Sequence, residues 1–105
     1  MTRYSVRDID HPGVVFPEGR SGESRRRVLV LSTEKYTENG GGLLLAIRCT
    51  GGQFSNGVLA DQYMGNFLKE MGVNRAGGVS GRKIRAYFRG EQDVLVAVST
   101  PQEKT

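Results

Sequence analysis

The chain has 105 residues, 15 of them glycine, a formal net charge of +4 and a single cysteine, Cys49. This length fits one small domain, and no apolar run approaches the ~20 residues that cross a bilayer, which argues against an integral membrane protein. The acidic residues Asp8 and Asp10 argue against a secretory signal, and one cysteine cannot form an internal disulfide, so we expect a cytoplasmic protein.

Positive charge is concentrated in two short segments. Arg20–Arg27 has four basic residues and one acid, Arg82–Arg89 has four basic residues and no acid, and the rest of the chain is net acidic. Most of the basic residues are arginine, which suits bidentate contacts to phosphate and stacking on bases. We therefore expect a polyanionic ligand; the alternative is that the two segments are solvated strand ends.

The first 24 residues are predicted to be an irregular lead-in. Turn signals occur at His11-Pro12-Gly13 and at Phe16-Pro17-Glu18-Gly19. Between them, Val14–Phe16 is expected to form a short edge strand or to cover one end of a core.

Three strands separated by short turns are predicted next. Arg27–Thr33 contains four consecutive Val or Leu residues, which indicates a central strand. Asn39-Gly40 favours a tight hairpin, and Leu43–Cys49 returns from it with apolar residues alternating between two faces. A third strand is predicted over Gly57–Asp61, after a turn at Gly51-Gly52.

A helix is predicted over Gln62–Met71, because four apolar residues recur with helical spacing: Met64, Phe67, Leu68 and Met71. Asp61 is expected to cap its N-terminus, and Gly72 is expected to end it. After a glycine-rich link, Arg82–Arg89 and Val94–Val98 predict a final hairpin.

This order of elements predicts a mainly β fold. The best match is a five-stranded, OB-fold-like barrel (β-β-β-α-β-β) with one short helix between the third and fourth strands. The barrel domain is predicted over residues 25–100, followed by a short flexible tail over residues 101–105. Closure of the barrel would leave few free strand edges, although another small α+β sheet could have the same order of elements.

Parts of the chain resemble a family of small phage proteins. The resemblance covers residues 35–99 and is carried by four stretches: Thr37–Leu45, Gly51–Gly57, Asn66–Gly72 and Val79–Ile84. Proteins of that family are OB-fold-like, uncharacterised or single-stranded-DNA-binding, and often accompany phage replication and recombination functions, and the resemblance implies such a role here. The chain departs from the family in its arginine run and in a tail without the acidic tip that many single-strand binders use to dock partners.

The fourth predicted strand carries the strongest candidate for a binding surface. Strict alternation places four side chains on its outward face: Lys83, Arg85, Tyr87 and Arg89. Proteins that bind single strands need cations that follow the phosphates and flat rings on which bases stack. The alternative is an exposed, charged strand that discourages edge-to-edge aggregation.

Other residues are expected to border the same groove. These are Arg25 and Arg27 at the start of the first strand, Tyr36 in the first hairpin and Arg48 on the second strand. Arg25 and Arg27 could equally be the solvated end of a strand. Phe54 is expected to cover the core between two strands rather than to stack on a ligand.

No spacing in the chain predicts an enzyme. With one His and one Cys, no nucleophile–base unit is indicated, and the glycine-rich segments lack the Lys-Ser/Thr of a phosphate-binding loop. A solvated turn is a better interpretation of Asp8, Asp10 and His11 than a metal site. We therefore expect no catalytic residue, no metal and no cofactor, and we expect Cys49 to be a small buried hydrophobe.

The sequence therefore predicts a non-enzymatic single-stranded nucleic-acid-binding protein of phage or mobile-element type, with single-stranded DNA as the preferred ligand. Expected partners are single-stranded nucleic acid and a host or phage replication protein, without a membrane. The first strand is apolar on both faces, which leaves room for a homo-oligomer. The alternative is a small protein-interaction module, an inhibitor or adaptor that binds a host protein with its basic face; a structural subunit of a larger assembly is a third reading.

Overall fold

A computed structural model describes residues 2–17, 19, 21–38 and 40–101. The strands are β1 (Arg3–Asp8), β2 (Glu23–Tyr36), β3 (Gly42–Cys49), β4 (Phe54–Ala60), β5 (Lys83–Arg89) and β6 (Val94–Ser99); the helix α1 spans Asp61–Met71, and a 3₁₀ helix spans Ala76–Val79. Two predicted features, the tail from residue 102 onward and Asn39 of the hairpin turn, lie outside the described residues.

The six strands form a closed antiparallel barrel in the order β1-β4-β3-β2-β5-β6. The long strand β2 belongs to both sides of it, because residues Glu23–Leu29 pair with β5 and residues Val28–Tyr36 pair with β3. A register shift between Val30 and Ser32 marks a bulge, and a bulge bends the strand that contains it. The strand β1 lies between β4 and β6 and pairs with both.

The predicted mainly β barrel with one α-helix is confirmed, but the strand number and the helix position differ. The barrel has six strands instead of five, and α1 follows the fourth strand instead of the third. The predicted irregular lead-in over residues 1–24 is wrong at Arg3–Asp8, which form β1, and the next strand already begins at Glu23. Val14 and Val15 form neither a strand nor a core cover, since they are 43% and 87% exposed.

Asp8 joins β1 to β6 where their backbone pairing stops. The last registered pair between these strands is Ser5 with Ala97. Beyond it, the buried carboxylate of Asp8 accepts a hydrogen bond from the Leu95 amide at 2.9 Å and another from the Asp10 amide at 2.9 Å. His11 Nδ1 lies 3.1 Å from the same carboxylate. The predicted solvated turn is therefore wrong for Asp8, whose side chain replaces a missing rung of the sheet.

The helix α1 covers one end of the barrel. Its apolar face is the predicted one: Phe67 and Met71 are buried, and Met64 and Leu68 pack against the core. Gly72 ends the helix with a left-handed φ of 73°, as predicted. The predicted cap at Asp61 is wrong, because the capping position is Ala60 and no side chain bonds to the first turn. Within the described chain, no helix combines the length and apolarity required to cross a membrane.

Arg26 closes the end of the barrel that lies opposite α1. Its guanidinium lies over the Phe88 ring, with the central carbon 4.9 Å from the ring centroid. It forms an ion pair with Asp93 at 3.0 Å and donates a hydrogen bond to Gln53 Oε1 at 3.3 Å. Arg26 thus contacts both turns at this end, the one between β3 and β4 and the one between β5 and β6.

Replacement of Asp8 tests the closure of the barrel. In Asp8→Ala the buried Leu95 amide loses its acceptor, and we expect the free energy of unfolding to fall by about 2–3 kcal/mol. Asp10→Ala is the matched control, because Asp10 is exposed and its carboxylate accepts an exposed hydrogen bond from Asn56 Nδ2 at 3.2 Å. Urea unfolding measures both variants, and equal midpoints for the two would contradict the role given to Asp8.

The ionisation of Tyr4 predicts how stability changes in alkali. Burial, together with the nearby carboxylate of Glu70, raises the pKa of Tyr4 from 10.0 to about 12. Between these pH values the unfolded chain releases a proton that the folded protein retains, so the free energy of unfolding decreases as the pH rises. Urea unfolding across this range should show a weaker pH dependence for Tyr4→Phe than for wild type. The same slope for Tyr4→Phe and wild type would refute the assignment.

Candidate nucleic-acid interface

The outer faces of β2, β3 and β5 carry a group of basic side chains. Alternation along each strand directs the apolar residues inward, as in β5, where Ile84, Ala86 and Phe88 are buried. The outward positions of the three strands hold five basic residues: Arg25, Arg27, Arg48, Lys83 and Arg85. Arg85 is half-buried and the other four are exposed.

The strand registers place an aromatic ring and two cations in one row. Phe54 on β4 pairs with Arg48 on β3, Arg48 pairs with Leu29 on β2, and Leu29 pairs with Lys83 on β5. Directly opposed side chains on one face lie about 5 Å apart. Four strands at a spacing of about 4.8 Å give the row a length of about 14 Å. The row therefore runs across the strands and not along β5.

Two further register pairs extend this surface along β2. Arg27 lies opposite Arg85, and Arg25 lies opposite Tyr87. Beside the row, an open depression of about 430 Å³ is lined by Arg27, Leu29, Arg48, Lys83 and the turn after β3. We use the term basic face for the five basic residues together with Leu29 and Phe54.

Four of the five cations on the basic face have no acidic partner among the described residues. Glu23, which lies on the same face of β2 two positions before Arg25, binds Arg3. The side chains of the four exposed cations, Arg25, Arg27, Arg48 and Lys83, form no hydrogen bond or ion pair with any described residue. Such side chains keep their hydrogen-bond donors available to an anionic ligand.

Phe54 is the functional candidate that sequence reasoning assigned to the core. It is the first residue of β4 and is 65% exposed, so the predicted core cover is wrong. The alternation of β4 explains its direction: Leu59 and Gly57 face the interior, and Phe54 therefore faces outward with Asn56 and Val58. The available signal was the length of β4, which begins three residues before the predicted strand.

Tyr87 is not an exposed stacking ring, contrary to the sequence prediction. It faces outward but is only 8% exposed, and its hydroxyl lies 3.1 Å from Ser99 Oγ. The guanidinium of Arg3 covers the ring at 4.0 Å from the centroid. Arg3 is held there by two hydrogen bonds to Glu23, at 2.7 and 2.8 Å. These bonds raise the pKa of Arg3 above its usual value.

Arg89 is outward-facing as predicted, but it is engaged by the segment before β2. Its Nη1 donates to the carbonyl oxygens of Pro17 at 2.9 Å and Gly19 at 3.1 Å. The ring of Phe16 lies 4.8 Å from its guanidinium carbon. Arg89 is therefore not open to a ligand in this conformation.

Tyr36 lies apart from the basic face, at the other end of β2. It pairs with Gly42, and the guanidinium of Arg7 lies 5.7 Å from its ring centroid. The structure thus brings Arg25, Arg27, Arg48, Lys83 and Arg85 together and excludes Tyr36, Tyr87 and Arg89 from their open surface.

The basic face presents cationic groups and an exposed aromatic ring. Guanidinium and ammonium groups attract phosphate, and an exposed ring provides a platform for a base. In the described part of the chain, no three His, Cys, Asp or Glu side chains are grouped so that they could hold a metal ion. Cys49 is buried, as predicted.

Comparison with known proteins identifies no relative of this chain. The chain matches no protein-family model, no curated protein and no solved structure. The resemblance to small phage proteins stays a prediction from the sequence.

Proposed function

We propose that the protein binds single-stranded nucleic acid on its basic face without catalysing a reaction. The observation that carries the proposal is the row formed by Phe54, Arg48, Leu29 and Lys83, with Arg27 and Arg25 beside it. Cations attract the phosphates, Phe54 stacks on a base, and Leu29 supplies an apolar floor between two cations. This arrangement has little sequence preference, because every base has a flat face that can stack.

The exposed ring favours a single strand over a duplex. Bases in a duplex are stacked on each other and cannot cover Phe54, whereas an unpaired base can. Single-stranded DNA is the ligand that the sequence resemblance implies, and we propose it as the first ligand to test. The same resemblance extends the proposal to phage replication or recombination.

We further propose that the barrel is an OB-fold with one added strand. In support, β2 to β6 and α1 follow the order β-β-β-α-β-β, and β2 pairs with both β3 and β5. Removal of β1 from this order leaves a five-stranded barrel with a gap between β4 and β6, and the OB-fold is a partly open five-stranded barrel. On this assignment β3 and β4, which carry Arg48 and Phe54, are the strands that border ligands in OB-folds.

Salt dependence is the first test of the proposal. Fluorescence anisotropy with an oligodeoxythymidylate should give an affinity that falls linearly with salt on a double logarithmic plot, with a slope of about −0.7 per phosphate contact. Arg27→Ala should reduce the slope by about 0.7. Lys35→Ala removes the same charge from the other end of β2 and should leave the slope unchanged. Binding that is absent or insensitive to salt would refute the proposal and favour the protein-interaction module.

Replacement of Phe54 tests the stacking contact. Loss of a base–aromatic stack costs about 1–3 kcal/mol of binding free energy, so Phe54→Ala should weaken binding about 5-fold to 160-fold at fixed salt. The slope with salt should stay constant, because the ring carries no charge. Phe54→Trp should retain the affinity. The control is Leu31→Ala, which shortens an exposed apolar side chain on a different strand, β2. An unchanged affinity in Phe54→Ala would remove the ring from the site.

A further inference from the structure

A short segment before β2 crosses the outer surface of the barrel beside the basic face. We call residues 13–17 and Gly19 the strap. Its contacts with the sheet centre on Arg89, which donates to the carbonyl oxygens of Pro17 and Gly19 and lies against the Phe16 ring. Phe16 also lies close to Gly90, where an added Cβ would come within 3.2 Å of the ring.

A cavity of about 590 Å³ lies between the strap and the sheet. The sheet contributes Arg3, Ser5, Glu23, Arg89, Val96 and Ala97, and the strap contributes Val14, Val15, Phe16 and Gly19. The space is therefore bordered by two guanidinium groups and the Glu23 carboxylate, which is bonded to Arg3, and its floor consists of small and apolar side chains.

The strand registers make this covered surface a continuation of the basic face. Across β5 and β6, Arg85 pairs with Ser99, and Ser99 pairs with Arg3 on β1. One rung further along, Arg25 pairs with Tyr87, and Tyr87 pairs with Ala97 at the floor of the cavity. A strand of nucleic acid that leaves the basic face across β5 would reach Arg89 and Arg3 next.

The groups that bond these two arginines resemble those of a nucleic acid. Two carbonyl oxygens bind Arg89 in the manner of phosphate oxygens, and the Phe16 ring stacks on its guanidinium as a base would. The carboxylate of Glu23 binds Arg3 through two parallel hydrogen bonds, at 2.7 and 2.8 Å, as a phosphate can.

We infer that the strap is an internal substitute for nucleic acid, which a long single strand displaces from Arg89. The inference rests on the proposed function of the basic face and adds regulation to it. Short strands occupy the basic face alone. Longer strands release the strap and gain a phosphate contact at Arg89, so the strap sets a minimum length for tight binding.

The strap is lightly attached, which makes displacement feasible. Val14 and Val15 are 43% and 87% exposed, so the strap buries little apolar surface through them. Among the described contacts of the strap with the sheet, the hydrogen bonds are the two to Arg89. A phosphate group would replace the two carbonyl oxygens at Arg89, and a stacked base would replace the Phe16 ring.

Removal of the Phe16 ring tests this inference with oligodeoxythymidylates of about 5 and about 20 nucleotides, one near the lower end of OB-fold site sizes and one above their upper end. For the longer oligonucleotide, Phe16→Ala should bind at least threefold more tightly than wild type, because no ring has to be displaced from Arg89. The slope with salt should stay constant, because the wild-type complex already contains the phosphate contact at Arg89. For the shorter one, affinity and slope should stay constant. Val15→Ala, a change in the same strap at an exposed side chain, should behave like wild type with both.

A second variant assigns the gained contact. In the double variant Phe16→Ala with Arg89→Gln, the slope for the longer oligonucleotide should be shallower than in wild type by about 0.7, and the slope for the shorter one should stay constant. If wild type binds with the expected salt dependence but Phe16→Ala leaves the affinity for the longer oligonucleotide unchanged, the strap inference is wrong and the proposed function stands. If wild type binds neither oligonucleotide, the proposed function fails and this inference fails with it.

Discussion

Insertion of β1 between β4 and β6 is the constraint on which the structure depends. Without this strand, the edges of β4 and β6 would carry unpaired amides and carbonyls, and buried groups of that kind are costly. Backbone hydrogen bonds join only part of β1 to β6. Beyond that part, the carboxylate of Asp8 joins the two strands by accepting a hydrogen bond from the Leu95 amide. One acidic side chain thus completes a hydrogen-bond network that the backbone leaves open.

The same strand determines which part of the outer surface stays accessible. Arg3 on β1 reaches over Tyr87 and bonds to Glu23, so the surface of β5 near β6 is covered by a cation–π contact and an ion pair. On the other side of β5, Lys83 and the neighbouring side chains of β2 and β3 meet no such cover. The pairing of β1 with β6 places Arg3 over the β6 side of β5 and leaves the β2 side of β5 uncovered. The open basic face and the covered surface beside it therefore have the same structural cause.

The sequence predicted the elements with strong periodicity and missed those that depend on neighbouring strands. The alternation of β3 and β5, the apolar face of α1 and the glycine that ends it were all evident from the chain. The strand β1 was missed because its inward positions are Tyr4, Val6 and Asp8, and an acid at a core position breaks the apolar pattern. Tyr87 was correctly placed on an outward face, but its cover comes from Arg3, a residue distant in sequence. For the same reason the row that joins Phe54 to Lys83 was not predictable, since it depends on three strand registers.

The contacts of Arg26 have a consequence for how the arginine run can vary. Arg25 and Arg27 project to solvent, whereas Arg26 between them bonds to Gln53 and Asp93 at the end of the barrel. Gln53 immediately precedes Phe54, so this contact helps to fix the position of the exposed Phe54 ring. A change of all three arginines would therefore alter the charge of the outer surface and loosen the end of the barrel at the same time. Only substitutions at Arg25 and Arg27 change the outer charge without removing the contacts of Arg26.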